Sequence, residues 1–74
     1  MIRIHLAKLL EQKDMSQRKL HKLTGIRHGT INAYYHEFAK RINLDDLDIL
    51  CKTLNCRLDE LIEYIPDKNK NSGV

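Results

Sequence analysis

The sequence predicts a small all-α domain of five helices, on three observations. Apolar residues return every three or four positions, the spacing of one helix face, rather than every two. Residues suited to helix boundaries, Ser16, Gly25, Asn43 and Asn55, stand where the apolar stripes start and stop. A chain of 74 residues, 42% hydrophobic and 31% charged, is apolar enough to build a core and too short to divide it between two units. Residues 1–66 are expected to form that single domain, and the polar stretch 67–74, with no apolar residue before Val74, a disordered tail.

Helix one is read from Ile2, Leu6, Leu9 and Leu10, which share a face while Arg3, Lys8 and Glu11 fall opposite; it ends near Lys13. Asp14 and Met15 break the pattern. Ser16 then offers a side-chain oxygen to the free N–H groups of a second helix, expected over Gln17 to Thr24. Gly25 follows at once, and a residue without a Cβ takes the left-handed backbone that closes a helix without a clash. A sharp turn over Gly25, Ile26 and Arg27 leads into a third helix from His28. Ile31, Tyr34 and Tyr35 form its apolar side; His28, Gly29, Asn32, Ala33 and His36, small or polar, form the other.

No glycine or proline ends the third helix, so Phe38 and Ala39 fit a further turn and the loop is expected at Lys40 to Ile42. Asn43 reads as the cap of a fourth helix, because the carboxylates of Asp45 and Asp46 favour the positive end of the helix dipole. Leu44, Leu47, Leu50, Cys51 and Leu54 make its stripe, and Asn55 is suited to the left-handed turn that ends it. Leu58, Leu61, Ile62 and Ile65 predict a short fifth helix before Pro66, with Asp59, Glu60 and Glu63 outside.

The net charge of +3 conceals an asymmetry. Residues 1–42 hold nine Lys or Arg against three Asp or Glu, whereas residues 43–74 hold four against seven. His5, His21, His28 and His36 also lie in the first part, so the positive field is concentrated there and points to a polyanionic partner; a merely solvated charged face is the plainer alternative. No uninterrupted apolar run exceeds three residues, which predicts neither a membrane span nor a secretory signal and makes the cytoplasm the expected location. Cys51 and Cys56 are too few for a disulfide framework and lack zinc-site spacing, so they read as reduced packing residues. No histidine pair stands at i, i+4 with a helical carboxylate, and no nucleophile stands beside a base. No metal, cofactor, small-molecule ligand or catalytic residue is therefore expected.

The segment SQRKLHKLTGIRHGTINAYY at 16–35 carries the strongest signal: a capped helix, a glycine turn and a second helix with apolar residues at fixed offsets. Leu20, Ile26, Ile31 and Tyr34 must meet across the turn, which locks the helices at a steep angle and leaves the first turns of the second one protruding. On Gln17, Leu20, Gly25, Ile26, Thr30, Ile31 and Tyr34 the segment resembles the helix-turn-helix of the Cro and repressor family, also called the xenobiotic response element type. Leu44, Leu47, Leu50, Leu54, Leu58, Asp59, Leu61 and Ile62 extend the likeness through the last two helices, so that it covers roughly residues 5–65. It is closest to minimal, single-domain members.

The resemblance implies a five-helix, lambda-repressor-like fold and a transcriptional regulator, a repressor, that reads double-stranded DNA as a homodimer. The residues implied to face base edges are Arg27, His28, Gly29, Asn32 and Ala33. Those implied to meet phosphates are Gln17, Arg18, Thr30, Tyr35, His36, Lys40 and Arg41. The exposed side of helix five around Tyr64 and Ile65 is the first candidate for a dimer surface. A protein-interaction module or antitoxin-like accessory subunit that keeps the fold is the alternative, since fold alone does not fix function. Three positions depart from the family pattern. His21 replaces a small residue and is expected to reach outward or open the helix crossing. Arg27 replaces a capping Ser or Thr, accepts no N–H bond and opposes the helix dipole, unless an anion docks beside it. The stretch YYHEFAKRI replaces a tight glycine turn.

Overall fold

In the computed structural model, which describes residues 1–66, one apolar cluster gathers side chains from every helix. Leu6, Leu9 and Leu10 come from α1 (Leu6–Gln12), and Leu20 from α2 (Gln17–Thr24). Ile31 and Tyr34 come from α3 (His28–Tyr35), Leu47, Leu50 and Leu54 from α4 (Leu44–Leu54), and Leu61 from α5 (Leu58–Leu61). Ile26 enters from the turn between α2 and α3. Leu6, Leu20, Ile31, Leu50, Leu54 and Leu61 are wholly buried, each worth about 1.5–3 kcal/mol over an exposed side chain. No polar or charged residue is buried among the described residues, so the helices are held together by this cluster.

The structure corrects the all-α expectation at both ends. Ile2–Ile4 is a strand, β1, and Ile62–Tyr64 is a second, β2; they pair antiparallel with Ile2 opposite Tyr64, Arg3 opposite Glu63 and Ile4 opposite Ile62. Helix α1 therefore begins at Leu6 rather than at Ile2, and α5 stops at Leu61, so that Ile62, Tyr64 and Ile65 lie outside it. The physical reason is long-range pairing: Ile4 and Ile62, opposite each other in the register, both pack against the core. The pairing continues past the strands, His5 N–H donating to the Leu61 carbonyl at 2.7 Å and the His5 ring meeting Glu63 at 2.7 Å. Five helices and a small two-stranded sheet make up the described fold. The stretch 67–74, expected to be a tail, lies outside the described residues.

The helix ends explain the remaining boundaries. Ser16 Oγ accepts from Lys19 N–H at 3.0 Å, and Asn43 Oδ1 accepts from Asp45 N–H at 2.7 Å, as the sequence predicts. Gly25 and Asn55 take the left-handed conformation at the ends of α2 and α4. Helix α3 does not extend through Phe38 and Ala39, because Glu37 is left-handed at φ 60° and turns the chain away. Phe38 N–H then donates to the Ala33 carbonyl at 2.8 Å and Glu37 N–H to that of Tyr34 at 3.2 Å, a glycine-type helix end built on a glutamate. Its connection to α4 thus spans 36–43 rather than only Lys40 to Ile42.

What holds Glu37 there is β1. Arg3 grips its carboxylate with Nε at 2.7 Å and a terminal nitrogen at 2.8 Å, and Ile4 N–H donates to it at 3.1 Å. Those bonds to the charged form hold the Glu37 carboxyl down to about 2, against an ordinary 4.5. A left-handed backbone is unfavourable for a residue with a Cβ, and this charge-assisted fork acts against that cost. The sheet and the end of α3 are thereby fixed to each other.

Candidate nucleic-acid interface

Helices α2 and α3 pack across the turn 25–27, with Leu20, Ile26, Ile31 and Tyr34 all buried at their junction. Three sets of polar bonds fasten the turn. Gly25, at φ 78°, donates its N–H to the His21 carbonyl at 2.8 Å. Thr24 Oγ1 donates to the Leu20 carbonyl at 2.8 Å and accepts from Ile26 N–H at 3.1 Å. The third comes from His21, whose Nδ1 meets the Ile26 carbonyl at 2.7 Å. A carbonyl only accepts, so Nδ1 carries the proton in this contact.

His21 thus binds the turn with one ring nitrogen. Its half-buried ring lies flat on that of His28, with centroids 3.8 Å apart and planes inclined by 27°. The stack fixes the His28 ring at the first residue of α3. Sequence reasoning missed this contact; its signal is two histidines seven positions apart on either side of a tight turn.

Arg27 occupies the N-cap of α3 with an extended backbone and no side-chain cap bond. The first bond of the helix runs from Ile31 N–H to the Arg27 carbonyl at 3.0 Å, so the N–H groups of His28, Gly29 and Thr30 precede the hydrogen-bond ladder. Arg27, His28, Gly29 and Asn32 are exposed and Ala33 is half-buried, giving one continuous outward surface over the first turns of α3. A Cβ at Gly29 would meet nothing within 4 Å, so packing inside this chain does not require a glycine there.

Two shallow grooves flank the helix. One is lined by Arg27, Gly29, Thr30, Ala33 and Arg41 together with Asn43 and Asp46; the other by Gln17, Tyr35, Ser16, Met15 and Lys8. The structure thus brings Arg27, Gly29, Thr30, Ala33 and Arg41 to one side, and Gln17 and Tyr35 to the other. Arg18, His36 and Lys40 are exposed and line neither groove. Tyr35 is half-buried against the core and edge-on to His36, which stacks on the exposed Phe38. Lys8 is the one cation lining these grooves that sequence reasoning did not select; its place opposite Leu6, Leu9 and Leu10 on α1 is the signal that would have found it.

Tyr34 sets how α3 sits on α4. Its hydroxyl donates to Asp46 Oδ2 at 2.7 Å, and burial, reinforced by that bond, pushes its ionisation above the usual tyrosine range. The bond occupies an oxygen of the one carboxylate that lines the basic groove.

Residues 5–67 match the family model of the Cro/C1-type HTH DNA-binding domain. The chain belongs to that family. A relative from Bacillus subtilis (strain 168), named as an uncharacterized HTH-type transcriptional regulator, YozG, is 29% identical over 66 residues, covering 89% of this chain and 79% of that protein. As a Cro/C1-type domain the chain carries the helix-turn-helix in α2 and α3, the pair whose turn is fastened by Thr24, Gly25 and His21. Among the described residues, no helix is long and apolar enough to cross a membrane.

Proposed function

We propose that this Cro/C1-type domain is a sequence-specific transcriptional repressor that places α3 in the major groove of DNA. The observation that carries the reading is the exposed, uncapped start of α3, where Arg27, His28, Gly29 and Asn32 face outward from a rigidly fastened turn. An Arg27 guanidinium pairs with the O6 and N7 edge of guanine, and the Asn32 amide with adenine; each good bidentate pair is worth about 1–3 kcal/mol of discrimination. His28, held by His21, meets a purine edge. Gly29 allows close approach, and Ala33 offers its methyl to thymine.

Gln17, Arg18, Thr30, Tyr35, His36, Lys40 and Arg41 position the protein on phosphates, which give affinity without reading sequence. The grooves support this for four of them, since one is lined by Thr30 and Arg41 and the other by Gln17 and Tyr35. Lys8 joins them. A single domain of this size makes few base contacts, so the functional unit is a homodimer on paired half-sites. Its contact is the face around Ile2, Leu58 and Tyr64, which are 61%, 50% and 66% exposed and lie beside Arg57, Asp59 and Glu63. Charges of both signs around an apolar centre suit a second copy turned by a two-fold axis.

Sequencing duplexes retained from a random pool tests the whole reading. A single enriched motif with two related halves supports it, as does affinity that falls steeply with salt. Retention without enrichment, or with no dependence on salt, rejects it.

A further inference from the structure

Cys51 and Cys56 are chemically reactive groups that the DNA-binding reading leaves unused. Helix α4 ends in the left-handed turn at Asn55, with φ 52° and ψ 51°, and the chain folds back on itself. Cys56 N–H then donates to the Cys51 carbonyl at 3.0 Å. Covalent geometry keeps the Cα atoms of residues joined in this way within about 7 Å, and residues at these two positions of such a helix end meet through their side chains. The two thiols are neighbours, close enough for Cys51 to act on the ionisation of Cys56. Both are free and half-buried, packed against the edge of the core. Close Cα atoms with facing thiols are what a disulfide requires.

We propose that Cys51 and Cys56 form a redox site, in which a low-molecular-weight disulfide oxidises the pair to an intramolecular disulfide that staples the end of α4 to the start of α5. The chemistry is two exchanges. The Cys51 thiolate attacks the small disulfide, RSSR, whose S–S bond breaks; one RS⁻ leaves, takes up the proton that Cys51 has lost and becomes RSH. Cys56 then gives up its proton and attacks the Cys51 sulfur of the mixed disulfide, releasing the second RS⁻ as RSH. Two cysteine thiols are oxidised by two electrons, and RSSR is reduced to two RSH.

The surroundings set the order of attack. Burial pushes the Cys56 thiol up to about 11, and the neighbouring Cys51 adds to the rise, with Glu60 contributing and Lys13 opposing. Cys56 therefore holds its proton and leaves the first attack to Cys51. Once Cys51 is capped, its share of that rise is gone, and Cys56 is released for the ring-closing step. The five-residue spacing, which offers no metal-site pattern, supplies a partner already in place.

The full chain, reduced and then treated with oxidised glutathione, tests this by intact mass. The expected product is a monomer lighter by two hydrogen atoms, carrying no glutathione and restored by dithiothreitol. It should form at least about tenfold faster in the folded chain than in urea, because folding raises the effective concentration of one thiol at the other. Cys56→Ser should accumulate one glutathione on Cys51, and Cys51→Ser should react more slowly. A wild-type protein that stops at a glutathione adduct, cross-links between chains, or stays unchanged while the urea-unfolded chain reacts would overturn the proposal. The wild-type measurement decides without either variant.

Discussion

The starts of α3 and α4 are built in opposite ways. At α4, Asn43 closes the backbone by accepting from Asp45 N–H, and Asp45 and Asp46 place negative charge at the positive end of the dipole. At α3 the cap is Arg27, which makes no side-chain bond, and the first turn has no acidic residue. One helix is completed by its own chain, and the other presents free N–H groups and a guanidinium to the surroundings. On the proposed reading, the start of α4 serves stability and that of α3 recognition. The body of α4 buries Leu47, Leu50 and Leu54, and α3 packs on α1 and α2 and is tied to α4 by the Tyr34 bond to Asp46.

The largest test of that division is Leu50→Ala. The side chain is 1% exposed, so its truncation should cost about 2–5 kcal/mol in urea unfolding, a large share of the stability of so small a domain. Asn32→Ala should leave unfolding unchanged and weaken binding to the selected duplex by about 1–3 kcal/mol, with relaxed preference at one base pair. Equal loss in both assays would break the comparison.

Exchanging the caps is a finer probe. Asn43→Ala should destabilise the domain by about 1 kcal/mol, whereas Arg27→Ser should raise the melting temperature of the free protein and reduce its hold on DNA. A stabilised Arg27→Ser variant with undiminished binding would show that no phosphate docks at that helix start. The smallest effect is a pH dependence. Because the folded Glu37 carboxyl lies near 2 and the unfolded one near 4.5, its contribution is present above pH 4.5 and is lost as pH falls towards 2. Glu37→Gln should flatten that part of the acid stability curve, and an unchanged curve would remove the Arg3 grip from the account.

The parts of the fold written in local chemistry were legible. Ser16, Gly25, Asn43 and Asn55 mark helix ends because capping and left-handed turns depend on residues a few positions apart. The junction of α2 with α3 and most of the stripe of α4 were legible for the same reason, but Leu44, expected in that stripe, is exposed at the helix start. The strands were not, since Ile2 and Ile4 gain a partner only from Ile62 and Tyr64 at the far end of the described chain, and three residues are too few for a period of two to stand out. Glu37 was hidden likewise: nothing local favours a left-handed glutamate, and the Arg3 fork that holds it is 34 residues away. At the candidate site, the exposed residues of α3 followed from helical spacing. The His21 stack on His28 did not, because it depends on the path of the turn between them.

The pairing of β1 with β2 also bears on synthesis and topology. Ile2–Ile4 is made before the five helices, and its partner Ile62–Tyr64 after them. The clasp they form joins residues up to 62 positions apart, so its closure carries a large cost in chain entropy. Because the clasp brings residues 2 and 64 face to face, a short linker joining the two strands would let the chain be opened in the 36–43 loop. Such a circular permutant should keep the core and turn the clasp into the earliest contact to form.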